Sequence, residues 1–309
     1  MVKPELSVII ATRNRLPVLL LTLNKLIIAL GREASVEVIV IDDHSEPPIV
    51  LPAEYNWVKL IRNEGKGVAA ARNTGVASST SDVLLLLDDD MWVPPGILNR
   101  IHQLMKEYPG TAFNFIWEYP ASLLEQILKT SFGRFLVSNG FTTMKGWCRG
   151  LPWNDHELFK INHLAGATLL IRAADYRKSG GFDTSFPLAG AEDYDFSKRM
   201  ERAGLELLVD PLTLFYHNEP HKTDIEGFLN RVYQTAITRK HAAEIGYSEF
   251  VLHYGVFKKV YYSMIQWLSP LLKGFVNWQK FNRSMDIFAY RIYHMLIGNA
   301  SFRGYQGLK

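Results

Sequence analysis

The chain has 309 residues, 48% hydrophobic and 21% charged, enough for a full core in one large domain or two modest ones. Its single cysteine, Cys148, excludes an internal disulfide and fits a reducing compartment. The net charge of +3 is uneven: from His221 onward 12 Lys and Arg stand against 5 Asp and Glu, a balance of +7 that leaves −4 for the residues before it.

A strand-like apolar run over residues 6–11 comes almost at once. No charged region followed by an apolar one fits before it, so no secretory signal and a cytoplasmic location are expected. Thr12 and Arg13 follow the run. The apolar stretch Leu16–Leu30 is interrupted by Asn24 and Lys25 and is too short for a membrane span, so a buried helix is predicted from about Pro17 to Ala29. A second strand over 36–41 ends in Asp42 and Asp43, a third covers 58–61, and a helix follows over Val68–Ala77. Residues 83–87, Val-Leu-Leu-Leu-Leu, read as a further buried strand. Strands separated by helical crossovers predict an α/β fold: a mostly parallel, Rossmann-like sheet with helices on both faces. In such sheets ligands bind outside the carboxyl ends of the strands.

Three consecutive aspartates, Asp88, Asp89 and Asp90, close that fourth strand. Like charges at a strand tip repel and raise one another's pKa, which suggests a divalent cation with oxygen ligands; a solvated acidic turn before Pro94 and Pro95 is the other reading. Thr12 and Arg13, Asp42 and Asp43, and the triplet all follow strands, so they meet on one edge as a shared nucleotide or metal crevice.

The middle, 113–163, mixes aromatics with short turns and includes Trp147, Trp153 and the segment Gly150-Leu151-Pro152-Trp153-Asn154-Asp155. Its poor periodicity predicts a loop-rich substrate region. Strand signals return over 164–171 and 205–209, bracketing a charged helix that begins near Glu192. A last strand-like run, 212–216, precedes His217. His221 makes a His-x-x-x-His spacing with His217, but Pro220 argues against the helix that a zinc site of this kind needs.

From Ile225 the pattern is that of amphipathic helices: Ile225, Phe228, Leu229, Val232, Tyr233, Ala236 and Ile237, then Phe250, Tyr254, Phe257, Tyr261, Ile265 and Leu268. The expected division is therefore 1–220, catalytic, and 221–309, a helical C-terminal region. In the latter Lys258, Lys259, Lys273, Lys280 and Arg283 stand among Trp267, Phe275 and Trp278. That stripe suits either an interfacial membrane surface or packing within the protein.

The motifs occur in a telling order. Leu6-Ser7-Val8-Ile9-Ile10-Ala11-Thr12-Arg13-Asn14-Arg15 comes first, then Val40-Ile41-Asp42-Asp43-His44-Ser45, and then the stretch from Arg62 through Ala71-Arg72-Asn73-Thr74-Gly75. Leu87-Asp88-Asp89-Asp90, Gly166-Ala167-Thr168, Gly180-Gly181-Phe182-Asp183, Ala191-Glu192-Asp193-Tyr194-Asp195 and Tyr216-His217 complete the set. Over roughly Leu6 to His217 the chain resembles the family 2 glycosyltransferases, with the GT-A fold.

The resemblance implies inverting transfer of a sugar from a nucleotide diphosphate donor, a UDP-sugar being favoured, with Mn²⁺ or Mg²⁺ assisting. The acceptor is a hydroxyl on a glycan, glycolipid or similar molecule, in bacterial polysaccharide or glycoconjugate synthesis; nucleic acid is not an expected partner. On the donor side it implies Ala11, Thr12, Arg13, Asp43, Lys66, Arg72, Asp88 and Asp89. Asp43 would accept a hydrogen bond from the nucleobase; Arg13 departs from the aromatic often found in the family at its position, but its guanidinium would still stack on the base; and Lys66 or Arg72 would pair with the diphosphate. Asp88 and Asp90 form the D-x-D element, Asp90 being the expected direct metal ligand, and His217 completes the metal set. Asp193 is the expected catalytic base. Gly166, Glu192, Asp195 and Trp153 are expected on the acceptor side or in support of it, and a helix cap is the bland reading of the acidic group. A sugar-phosphate nucleotidylyltransferase would want a glycine-rich first loop, which residues 11–15 lack. A non-catalytic glycan- or nucleotide-sugar-binding protein would not need Asp193 beside a complete metal set.

Overall fold

The computed structural model describes residues 3–31, 35–220 and 224–308; His221 lies outside the described residues. The chain divides into two compact units. One comprises Met1–Glu118, Gly150–Pro187 and Glu192–Asn218, the other Tyr119–Arg149, Leu188–Ala191 and Glu219–Lys309.

The first unit is built on one mixed sheet. Its opening elements are β1 (Leu6–Thr12), α1 (Leu16–Leu30), β2 (Val36–Asp42), β3 (Val58–Arg62), α2 (Val68–Ala77) and β4 (Val83–Asp88). There follow β5 (Met91–Trp92), α3 (Ile97–Glu107) and β6 (Thr111–Glu118). After an excursion into the second unit come β7 (Phe159–Lys160), β8 (Thr168–Arg172), α7 (Ala173–Lys178), α8 (Glu192–Arg202) and β9 (Glu206–His217). The strand order is β3-β2-β1-β4-β8-β6-β9-β5, with β7 paired to β9. β3, β2, β1 and β4 are mutually parallel; β8 runs antiparallel to both β4 and β6, and β9 is parallel to β6. The carboxyl ends of β1, β2, β4 and β9 therefore share one edge with the start of β8.

Continuous apolar runs suit these strands because both faces are covered. Side chains alternate with a period of two. Val8, Ile10, Leu85 and Leu87 pack with Leu19, Leu23 and Leu26 of α1 and Ile101 and Leu104 of α3. Ile9, Leu84 and Leu86 point the other way, toward Val76, Tyr176, Phe196 and Met200. Helix α2 lies so close that a Cβ on Gly75 would come within 2.3 Å of the Ile9 side chain. The expected strand 212–216 is the far end of β9. It is separated from the near end by a register shift at which Phe115 pairs with Asp210 but Ile116 with Leu214, where Pro211 has no N–H to give the ladder.

The second unit is helical. It contains α4 (Ala121–Ile127), α5 (Ser131–Ser138), α6 (Met144–Trp147), α9 (Ile225–Glu244), α10 (Val256–Trp278) and α11 (Asp286–Gln306). Phe132, Phe135, Phe228, Val276, Tyr293 and Leu296 form its core. Arg134 clamps Asp286 through two hydrogen bonds of 2.7 and 2.8 Å. Gly304 lets α11 meet α9, since a Cβ there would lie 2.2 Å from the Tyr233 carbonyl oxygen.

Two expectations change. Most of the stretch 113–163 is not loop: it supplies β6, three short helices and β7. Helices of four to eight residues complete one or two turns, too few for a 3.6-residue period to emerge. In the tail, the helical pattern expected through Phe250, Tyr254 and Phe257 is interrupted before α10 begins at Val256. Residues 251–255 are not helical, Ile265 is buried, and Phe257 is 93% exposed.

Candidate active site

Strand β4 ends at Asp88, and the chain turns through Asp89 and Asp90 into β5. Asp89 and Asp90 are buried, while the Asp88 side chain is about one third exposed. The charge of Asp89 is met by Arg15 at 2.6 Å, and Thr12 Oγ1 donates to its other oxygen at 2.6 Å. Arg15 also binds Asp90 through its second guanidinium nitrogen. Burial, reinforced by the neighbouring Asp90, pushes the Asp89 carboxyl up to about 7, against the pull of Arg15 and Thr12. Asp90 Oδ1 lies 3.0 Å from His217 Nε2, at the point where β9 pairs with β5. The His217 ring stands edge-on to Trp117, 4.8 Å between centroids.

Arg72 is the hub of the site. It projects from α2, is buried, and reaches Asp88 Oδ1 at 3.0 Å, Asp193 Oδ1 at 3.0 Å and Glu192 Oε1 at 3.2 Å. Burial works against its charge, but Asp193, Asp88 and Glu192 hold its pKa above the ordinary value. Its guanidinium also lies over the Phe182 ring, 5.0 Å from the centroid. Room for it exists because residue 166 is glycine: a Cβ there would fall 2.3–2.6 Å from three guanidinium atoms. The Gly166 N–H donates to the Asp193 carboxylate. Burial raises the pKa of Asp193 and the charge of Asp88 adds to the effect, while Arg72 and Gly166 oppose it; the net shift is upward. Asp193 is in the first turn of α8, where the helix dipole favours a negative group, and its side chain keeps 21% of its exposure.

Toward β2, Asp43 Oδ1 accepts hydrogen bonds from Asn63 Nδ2 at 2.9 Å and from the Gly67 N–H at 3.0 Å. Both bonds fall on one oxygen. The Asp43 N–H binds the Thr12 carbonyl, which ties this group to the strand that carries Thr12 and Arg13. The preceding Asp42 is engaged by Arg62 and by the N–H groups of Ser45 and Ile49, and so shapes the loop.

Sequence expectations sort clearly against this geometry. Thr12, Asp88, Asp89, Asp90, Arg72, Gly166, Glu192, Asp193 and His217 form one connected set, and Ala11 lies opposite Asp88 in the β1–β4 register. Arg72, which with Lys66 was the expected partner of the diphosphate, joins Asp88 to Asp193. Gly166, expected to admit substrate, admits the Arg72 guanidinium. Asp195 is paired with Arg199 at 2.6 Å, and Arg199 in turn binds the Ser179 carbonyl, so this carboxylate anchors α8. Asp89 has both oxygens engaged within the protein. Arg13 and Lys66 are exposed, and Trp153 donates to Asp155 and packs on Phe159 within its own segment. Sequence reasoning passed over Arg15 and Asn63. The signal for Arg15 was its place two residues beyond Arg13, after the same strand.

The donor set suits a divalent cation. Among the described residues Asp88, Asp89, Asp90, Glu192 and Asp193 bring five carboxylates together, with the guanidinium groups of Arg15 and Arg72 between them. Asp90 Oδ1 and His217 Nε2, buried and 3.0 Å apart, are an oxygen and a nitrogen donor that would serve together as ligands of such an ion.

A family model described as glycosyl transferase family 2 matches residues 7–145. An uncharacterized glycosyltransferase of Haemophilus influenzae is 31% identical over 222 residues, 70% of this chain and 66% of that protein. The chain belongs to glycosyltransferase family 2. The pre-mycofactocin glycosyltransferase of Mycobacterium tuberculosis is 26% identical over 231 residues, which cover 74% of the chain but 45% of that relative. Thus the family 2 chain spans just under two thirds of the first relative's length and less than half of the second's. Among solved structures, a mannosyltransferase from Pyrobaculum calidifontis in complex with GDP-Man and Mn²⁺ superposes with a TM-score of 0.59 at 15% identity, covering 100% of this chain and 89% of that one. GalNAc-T7 with UDP, GalNAc and Mn²⁺ gives 0.52 at 16% identity, over 84% and 53%. At these identities the likeness establishes the fold, which is GT-A, with a central sheet flanked by helices.

Proposed function

We propose that the chain is a metal-dependent, inverting glycosyltransferase that moves a sugar from a nucleotide diphosphate donor to an acceptor hydroxyl. The observation that carries this reading is the pair of carboxylates on Arg72: Asp88 at the end of β4 and Asp193 at the start of α8, both 3.0 Å from one buried guanidinium. A single rigid cation thereby sets the distance between the acidic strand tip and a carboxylate of raised pKa.

In this reading Asp193 is the general base. The acceptor oxygen forms a bond to the anomeric carbon as the bond from that carbon to the diphosphate oxygen breaks, and the hydroxyl proton passes to Asp193. A base of this kind contributes about 10²–10⁴-fold to the rate. Burial raises its pKa and so makes it a stronger base than a free aspartate, while Arg72 and the Gly166 N–H oppose the rise and favour the ionised form. Asp90 and His217, with Asp88 beside them, would hold Mn²⁺ or Mg²⁺. The ion's chemistry there is to neutralise charge on the departing diphosphate. Asp43 would meet the base of the nucleotide through Oδ2, its Oδ1 being held by Asn63 and Gly67. The exposed Lys66, in the turn before α2, is the nearer candidate for the diphosphate now that Arg72 is buried among carboxylates. A UDP-sugar donor and a glycan or glycolipid acceptor remain the favoured substrates.

The stereochemical course tests the reading. Nuclear magnetic resonance of the isolated product should show the transferred sugar with the anomeric configuration opposite to that of the donor. Retention would exclude Asp193 as a base for direct displacement.

A further inference from the structure

Helix α10 is rich in apolar residues, yet only Ile265 and Val276 of its 23 are buried. Phe257, Val260, Met264, Trp267, Leu271 and Trp278 are 50–93% exposed and recur at intervals of three, four and seven, so they lie along one face. The exposure continues past the helix through Phe281 and into the first turn of α11 through Ile287 and Phe288. A contiguous face of this size is far beyond the scattered apolar residues of an ordinary surface.

The charge pattern says what covers it. Between residues 250 and 285 there is no Asp or Glu, while there are five basic residues. Lys273 is paired with Glu226 at 2.7 Å; Lys258, Lys259, Lys280 and Arg283 are exposed. Aromatic and aliphatic side chains along one face of a helix whose polar residues include lysines and no acidic group are the chemistry of a helix lying in the interface of an anionic bilayer. No helix among the described residues is long and apolar enough to cross a membrane, so the helix would rest on the surface and not span it. A second copy of the chain fits less well. Pairing this face with itself would bring no acidic group to Lys258, Lys259, Lys280 or Arg283, since residues 250–285 contain none, whereas anionic headgroups would.

We infer that α10, continued by Phe281 and the start of α11, is a membrane-docking surface for anionic phospholipid. It does not depend on the proposed transfer reaction.

The test is co-sedimentation of the full chain with vesicles of phosphatidylcholine alone or with about a third phosphatidylglycerol, since charged headgroups attract basic segments over roughly a Debye length. The expected result is binding to the anionic vesicles, at least about tenfold weaker partitioning of the Phe257→Ser, Trp267→Ser, Leu271→Ser triple variant, and intermediate loss for Lys258→Glu with Lys259→Glu. Circular dichroism and thermal unfolding establish that each variant is folded. If a variant is not folded, the single change Trp267→Ser carries the comparison. Absence of binding to anionic vesicles, or undiminished binding by the folded apolar variants, would overturn the inference. So would a wild-type dimer in lipid-free buffer that the apolar variants convert to monomer, because the face would then be covered by a second copy.

Discussion

Replacing Asp193 by Asn is expected to lower sugar transfer by about 10²–10⁴-fold, the contribution of a positioned general base. Donor affinity should change little, because Asp193 is not among the residues proposed to hold nucleotide or ion. The amide keeps the shape of the side chain and one acceptor oxygen toward Arg72, so the fold should survive. The pH profile of kcat/KM for the unaltered chain provides a second reading. The base works deprotonated, and burial has raised its pKa, so activity should fall as pH is lowered through a value above the ordinary carboxylate range. The acid limb should therefore lie at higher pH than for a free aspartate. An Asn variant that turns over at the wild-type rate would remove Asp193 from the chemistry.

The second large effect is expected at Arg72. Arg72→Met would leave Asp88, Glu192 and Asp193 with no cation between them. Breaking a buried ion pair from one side costs about 3–5 kcal/mol, and the lower end applies here because Asp88 and Asp193 are partly exposed. The variant should unfold at markedly lower urea concentration. Arg72→Lys separates position from charge: an ammonium keeps the charge but lacks the planar fork that spans three carboxylates. It should be more stable than the Met variant and still show a weakened transfer rate. In the Met variant the base loses the charge that lowers its pKa, so the acid limb should move to higher pH, and the Lys variant, which keeps a charge, should move less. Gly166→Ala should act in the same direction from the other side, by displacing the guanidinium with its new Cβ. The contact is with the end of a flexible side chain, so the alanine variant should lose more activity than stability. Unchanged pH profiles in all three would reduce Arg72 to a structural residue.

The contrast between Asp193 and Arg72 also shows what was legible in the sequence. Strand ends and the residues that follow them could be read directly, because continuous apolar runs mark strands covered on both faces and polar residues stop them. That located Thr12, Asp43 and the triplet on one edge, while His217 came from the family resemblance. The pairing of Arg72 with carboxylates 16, 120 and 121 residues away was not legible, since an arginine in a helix looks the same whether it meets solvent, phosphate or a buried carboxylate. Gly166 permits a close approach, and the group that approaches it is this chain's own guanidinium. The helices α4 to α6 escaped because each is too short to show a period. For Phe257 both membrane contact and packing stayed open, because the spacing of an amphipathic helix gives the direction of its apolar face and not what lies opposite.

Calorimetric titration of UDP- and GDP-sugars into the full chain, in Mn²⁺ and in chelator, tests the central claim most directly because it needs no knowledge of the acceptor. The account predicts saturable binding of a nucleotide sugar in Mn²⁺, lost in chelator and lost on Asp90→Asn in either buffer. Equal affinity with and without the ion would contradict it.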